Sequence, residues 1–121
     1  MNKAFYIFLL SIIFINCDKK QEIERITTLE LRALLAKDSI QLLDVRTPGE
    51  IKAGFIKTAL FADYFDADFY TKAKNQLDTK KPVYLYCRSG NRSETSARIL
   101  QENGFKVVNV LGGYNQWKME N

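Results

Sequence analysis

The sequence contains no histidine and only two cysteines, Cys17 and Cys87. The first absence removes the usual general base near neutral pH and the commonest metal ligand. With no imidazole and a single thiol beyond the N-terminal stretch, a zinc or transition-metal cluster is excluded, and no cofactor is expected. There is no internal repeat and no low-complexity tract. Lysine and arginine are scattered rather than gathered into a basic stripe with interleaved aromatics, so the net charge of +4 describes a solvated surface. A nucleic-acid partner is not expected. What is present is ordinary: 121 residues, 46% hydrophobic and 26% charged, enough for one domain with a modest core.

No apolar run reaches the roughly 20 residues that a membrane-spanning helix needs. The nearest is residues 4–15 of MNKAFYIFLLSIIFINC, which follows Lys3 and is interrupted by Ser11. A positive start and a short apolar middle read as a signal peptide over residues 1–16. The run meets Cys17 directly, and Asp18, Lys19 and Lys20 follow. This resembles a bacterial lipoprotein signal in which Cys17 is acylated and becomes the first mature residue, although Asn16 stands where a small residue is usual. An uncleaved anchor or an ordinary leader with an incidental cysteine is the alternative. Lipidation implies a location in the cell envelope, with a domain held to a membrane by lipid alone and facing the periplasm or the exterior. Residues 17–25 would be a polar tether and residues 26–121 the domain, expected to act as a monomer. Cys87 would then have no disulfide partner in the chain, and a free thiol outside the cytoplasm is a liability unless it is used.

The remaining chain alternates helix-like and strand-like segments. Thr27-x-x-Glu30 is a capping box before an amphipathic stretch. Residues 39–45, 58–61, 83–86 and 105–111 read as strands, with helices over 66–77 and 93–102, a helical turn at 50–53, and a short helix around Trp117. Near-continuous apolar strands separated by helices predict a parallel sheet covered on both faces. Ligands of such sheets bind beyond the carboxyl ends of the strands, where Asp44 and Cys87 fall.

Cys87 ends a strand and is followed by Arg88-Ser89-Gly90-Asn91-Arg92-Ser93. Only the thiolate is a good nucleophile, and a free thiol has a pKa of about 8.5. Without histidine the thiolate must be stabilised electrostatically. The loop is small and polar, so successive N–H groups can form an anion nest around the sulfur. A helix starting near Ser93 aims its positive end at the same atom, and Arg88 and Arg92 add charge and forked donors. The alternative is a surface turn with an incidental cysteine.

This loop, together with Leu43-Asp44-Val45-Arg46-Thr47-Pro48-Gly49-Glu50 and Gly54-Phe55-Ile56, and with Leu111-Gly112-Gly113-Tyr114-Asn115-Gln116-Trp117, resembles the motifs of single-domain rhodaneses, the thiosulfate sulfurtransferase superfamily. The resemblance spans about residues 25–118. It implies a three-layer α/β/α fold with a five-stranded parallel sheet, and Cys87 as a nucleophile that carries sulfur as a persulfide. Residues Arg88 to Ser93 would bind the donor. The partners implied are a small-molecule sulfur donor such as thiosulfate and a thiophilic acceptor, which can be a protein thiol. Phe55 departs from the family's usual histidine, which bears on local packing. Asp44 and Arg46 are expected to brace the loops rather than to act directly.

Three other functions are weighed. Cysteine phosphatases on this fold place five residues between cysteine and arginine, whereas four separate Cys87 from Arg92. Rhodanese-like binding or regulatory modules typically lack the cysteine. Thiol redox work would need a second, resolving cysteine.

Overall fold

The computed structural model describes residues 21–120. The leader, Cys17 and the first part of the expected tether lie outside the described residues. The elements run β1 (Glu24–Ile26), α1 (Thr28–Lys37), β2 (Gln41–Asp44), α2 (Pro48–Lys52), β3 (Leu60–Phe61), α3 (Phe69–Lys74), β4 (Val83–Tyr86), α4 (Asn91–Glu102), β5 (Val107–Val110) and α5 (Gly113–Met119). The five strands form one sheet in the order β1-β5-β4-β2-β3, and every pairing is parallel. The expected fold class is therefore present.

Side-chain alternation divides the core between the two faces of the sheet. Leu43, Val45, Val83, Leu85 and Cys87 face Phe69, Ala73, Ala97 and Leu100 on one side. Leu42, Tyr86 and Val110 face Leu31 and Ile56 on the other, with Trp117 packed at the edge. Each fully buried leucine contributes about 1.5–3 kcal/mol. Cys87 continues the period set by Val83 and Leu85, which carries its sulfur to the α4 side.

Two capping boxes start helices here: Thr27 with Glu30 opens α1 and Thr47 with Glu50 opens α2. One expectation is corrected. Residues 21–25 read as tether, but Glu24 and Arg25 belong to β1, paired with Val108 and Asn109 of β5. Ile23, just before the strand, is buried. The strand is short, polar and at the sheet edge, so only its pairing identifies it. Helix α3 is also shorter than expected, because Phe69, Gln76 and Leu77 close tight turns onto Asp66, Ala73 and Lys74 at its two ends.

Candidate active site

The carboxyl end of β4 delivers Cys87 into a loop that turns immediately into α4. Gly90 adopts φ +117°, a conformation that favours glycine, and this bends the chain back over the sulfur. The Gly90 N–H donates to Cys87 Sγ at 3.1 Å, and the Ser93 hydroxyl lies 3.4 Å from the same atom. Helix α4 begins at Asn91, two residues earlier than expected, so its first turn is part of the cradle. Cys87 is buried. Burial pushes its pKa up, but the Ser93 hydroxyl and the N–H groups of Ser93, Gly90 and Ser89 outweigh that effect, and the thiol lies below its ordinary value. The sulfur thus sits in a cradle of N–H and hydroxyl donors.

The two loop arginines have different surroundings. Arg92 turns away from solvent and forks onto Glu50, with Nη1–Oε1 at 2.7 Å and Nη2–Oε2 at 2.8 Å. Its guanidinium also lies 5.4 Å from the Phe65 ring centroid. Glu50 simultaneously accepts from the Thr47 N–H and hydroxyl. Its fork with Arg92 is the largest influence holding its carboxyl down at about 2. Arg92 is therefore a clamp between the loop and α2, and the charge it was expected to add beside the sulfur is shared with Glu50. Arg88 is exposed.

Beneath the loop lies a buried brace. Arg46 binds Asp44 through Nε–Oδ1 at 2.9 Å and Nη2–Oδ2 at 2.7 Å, and Nη2 also donates to the Gly54 carbonyl at 2.9 Å. Its guanidinium sits 4.3 Å from the Tyr114 ring centroid. The Tyr86 hydroxyl accepts from the Ile56 N–H at 3.0 Å. Asp44 and Arg46 thus hold loops together, as expected. Phe55 is 48% exposed and meets Phe61 edge-to-face at 5.1 Å, while Gly54 and Ile56 on either side keep their bonds.

The closing segment docks on the loop from the other side. The Tyr114 and Asn115 N–H groups donate to the carbonyls of Cys87 and Arg88 at 2.8 and 3.0 Å. A Cβ on Gly113, whose φ is +56°, would collide with the Cys87 carbonyl oxygen. Asn109 Nδ2 donates to the Gly90 carbonyl at 3.3 Å from inside β5. Sequence reasoning missed Glu50 and Asn109 as supports of the loop. The signal for Asn109 was a lone amide within an apolar strand. Glu50 carried no such signal, standing only as the last residue of the stretch Leu43 to Glu50 that resembles a family motif.

Among the described residues, no group of histidine, cysteine, aspartate or glutamate could hold a metal ion. In the same residues no helix is long and apolar enough to cross a membrane.

Residues 27–120 match the family described as Rhodanese-like domain. The thiosulfate sulfurtransferase GlpE of Coxiella burnetii is 33% identical over 96 residues, covering 78% of this chain and 87% of that protein. The "Uncharacterized protein YqhL" of Bacillus subtilis is 34% identical over 114 residues, covering 93% and 86%. Among solved structures, a rhodanese-like domain protein from Staphylococcus aureus superposes with a TM-score of 0.72 at 32% identity, covering 78% of this chain and 91% of that one.

Proposed function

The chain belongs to the Rhodanese-like domain family, and from that membership we propose that it is a sulfurtransferase working through a persulfide on Cys87. The observation that carries the proposal is the Gly90 N–H on Cys87 Sγ, with Ser93 beside it, in a chain without histidine. This cradle favours a thiolate and suits a persulfide anion in the same place.

In the first half-reaction the Cys87 thiolate attacks the outer sulfur of thiosulfate or a similar donor. The new Sγ–S bond forms as the donor S–S bond breaks, and sulfite leaves with the bonding pair. In the second half-reaction an acceptor thiolate or cyanide attacks the outer persulfide sulfur and Cys87 returns as thiolate. Arg88, at the mouth, would draw in an anionic donor and stabilise the charge on the departing group. The spacing of four residues between Cys87 and Arg92 argues against phosphatase chemistry.

A second reading, a persulfide carrier delivering sulfur to a protein thiol, is favoured by the exposed Phe65 ring against Arg92. Both readings share the loaded intermediate. Intact mass of the purified chain before and after thiosulfate should show one added sulfur, and Cys87→Ser should show none. Loading that persists in that variant would remove Cys87 as the carrier.

For location, we propose acylation at Cys17 and a domain tethered in the cell envelope. The support is the pattern of residues 1–20 alone.

A further inference from the structure

A cavity of about 670 Å³ lies between the end of α1, the segment before β3, and α5, on the face of the sheet opposite to α4. It stands apart from the sulfur. Ile40 immediately precedes β2, and Ile56 to Thr58 precede β3. In this parallel sheet the cavity therefore opens at the amino ends of the strands, whereas Cys87 follows the carboxyl end of β4.

Its lining divides by chemistry. Leu35, Ile40 and Ile56 form an aliphatic wall continuous with the core on that face. Trp117 is the one aromatic residue in the lining, and Arg32 stacks on its ring, the guanidinium carbon 3.7 Å from the centroid. Arg32 Nη2 also donates to the Trp117 carbonyl at 3.2 Å. Lys37 and Lys57 are exposed at the rim. None of these three cations has a salt-bridge partner among the described residues. Asp38 is the one carboxylate in the lining. Glu120 feels the charge of Arg32 from outside the cavity, but its own bonds go to Thr28 and Gln116. Positive charge is thus in excess.

The rim is held in place on both sides. The Ile56 carbonyl accepts from the Ala59 N–H at 3.1 Å, closing a turn with Lys57 and Thr58 at its centre. Thr58 takes φ +76°, alone among the described non-glycine residues in having a positive φ. A β-branched residue rarely adopts that conformation, and such outliers concentrate at ligand clamps. Across the cavity, Lys37 occupies the last turn of α1, which Asp38 closes by donating its N–H to the Leu34 carbonyl.

These features select a ligand. Arg32 already covers the indole of Trp117, so what remains of the wall is aliphatic and suits an alkyl chain rather than a stacked ring. The two rim lysines suit one anionic head. The volume lies within the roughly 300–1,000 Å³ of pockets that enclose small molecules, which fits a single chain and not a bilayer surface. We propose that this cavity binds a free medium-chain aliphatic carboxylate, its chain along Leu35, Ile40 and Ile56 and its head between Lys37 and Lys57. The proposal does not depend on the chemistry of Cys87.

Trp117 is the only tryptophan in the chain, so its fluorescence reports on this cavity alone. The full-length chain is titrated with octanoate, octanamide and butyrate. Octanoate should give a saturable change with a Kd of about 0.1–1 mM. Octanamide should bind about fivefold more weakly, the worth of two solvent-screened charge pairs, and that preference should shrink at high salt. Shortening the chain to butyrate should weaken binding by about two- to fourfold per methylene. Both lysines are exposed, so the Lys37→Gln/Lys57→Gln double variant should keep its thermal melt and lose the preference for octanoate over octanamide. Equal affinity for octanoate and octanamide in the wild type, or a preference that survives in the double variant, would overturn the proposal. A second readout locates the ligand. Amide resonances of Lys37, Ile40 and Thr58 should shift with octanoate. Shifts confined to other segments, or none at all, would refute the site.

Discussion

Replacing Glu50 by Gln removes one charge from the clamp while keeping size and one acceptor. The magnitude follows from the fork. Two charge-assisted bonds of 2.7 and 2.8 Å join side chains that are 19% and 26% exposed. A carboxyl held at about 2 against an ordinary 4.5 corresponds to about 3 kcal/mol between its charged and neutral forms. The Thr47 bonds account for part of this, and Gln retains a neutral contact to Arg92. The expected loss is therefore about 1–2 kcal/mol. With a urea m-value of about 1–1.5 kcal/mol/M for a domain this size, the midpoint should fall by about 1 M at pH 7. The sign of the pH dependence is fixed by the lowered carboxyl. Its contribution is complete above about 4.5 and is lost as pH falls through about 2. Wild type and Glu50→Gln should therefore differ by a constant amount between pH 5 and 7 and converge below pH 4. Urea titrations at pH 7, 5, 3 and 2.5 measure this. A gap that is absent at pH 7, or that does not narrow toward pH 2.5, would refute the clamp as an electrostatic element.

Gly113→Ala places a Cβ against the Cys87 and Arg88 carbonyls at a positive φ. It should cost about 2 kcal/mol or more and reduce thiosulfate turnover, read by thermal melts and steady-state kinetics. Unchanged turnover would show that the loop does not depend on α5. Arg88→Ala should raise the KM for thiosulfate, with a smaller loss in kcat and about a tenfold lower kcat/KM at low salt. Unaltered kinetics there would point to an uncharged or protein-borne donor. Cys17→Ser should move the mature domain from the membrane fraction to the soluble exported fraction. Retention in membranes would favour an uncleaved anchor.

The sulfur cradle was legible because it is contiguous. Cys87, Gly90 and Ser93 act on one another within a strand–loop–helix unit, and local spacing alone brings them together. The clamp was not legible. Glu50 and Arg92 lie 42 positions apart, and nothing in the local sequence of either points to the other. The sheet could be read from the apolar strands β2, β4 and β5. β1 could not, since Glu24 and Arg25 are exposed and gain their place from backbone pairing to β5. Phe55 shows a third case. Its side chain differs from the motif, but the turn around it is carried by Gly54 and Ile56, whose bonds do not depend on the residue between them.

The bonds from Tyr114 and Asn115 to the Cys87 and Arg88 carbonyls also bear on when the thiol becomes reactive. The nucleophile and the segment that fixes its backbone come from separate stretches of chain, with α4 and β5 between them. Until α5 has docked, the strand end is not held, and Cys87 resembles any thiol on an extended peptide, mostly protonated at neutral pH. Docking of α5 thus completes the backbone frame beneath the sulfur. A molecule in which α5 is undocked lacks the two bonds that fix the backbone at Cys87 and Arg88. For the persulfide proposed on Cys87, that ties chemical hazard to structural integrity without any separate control.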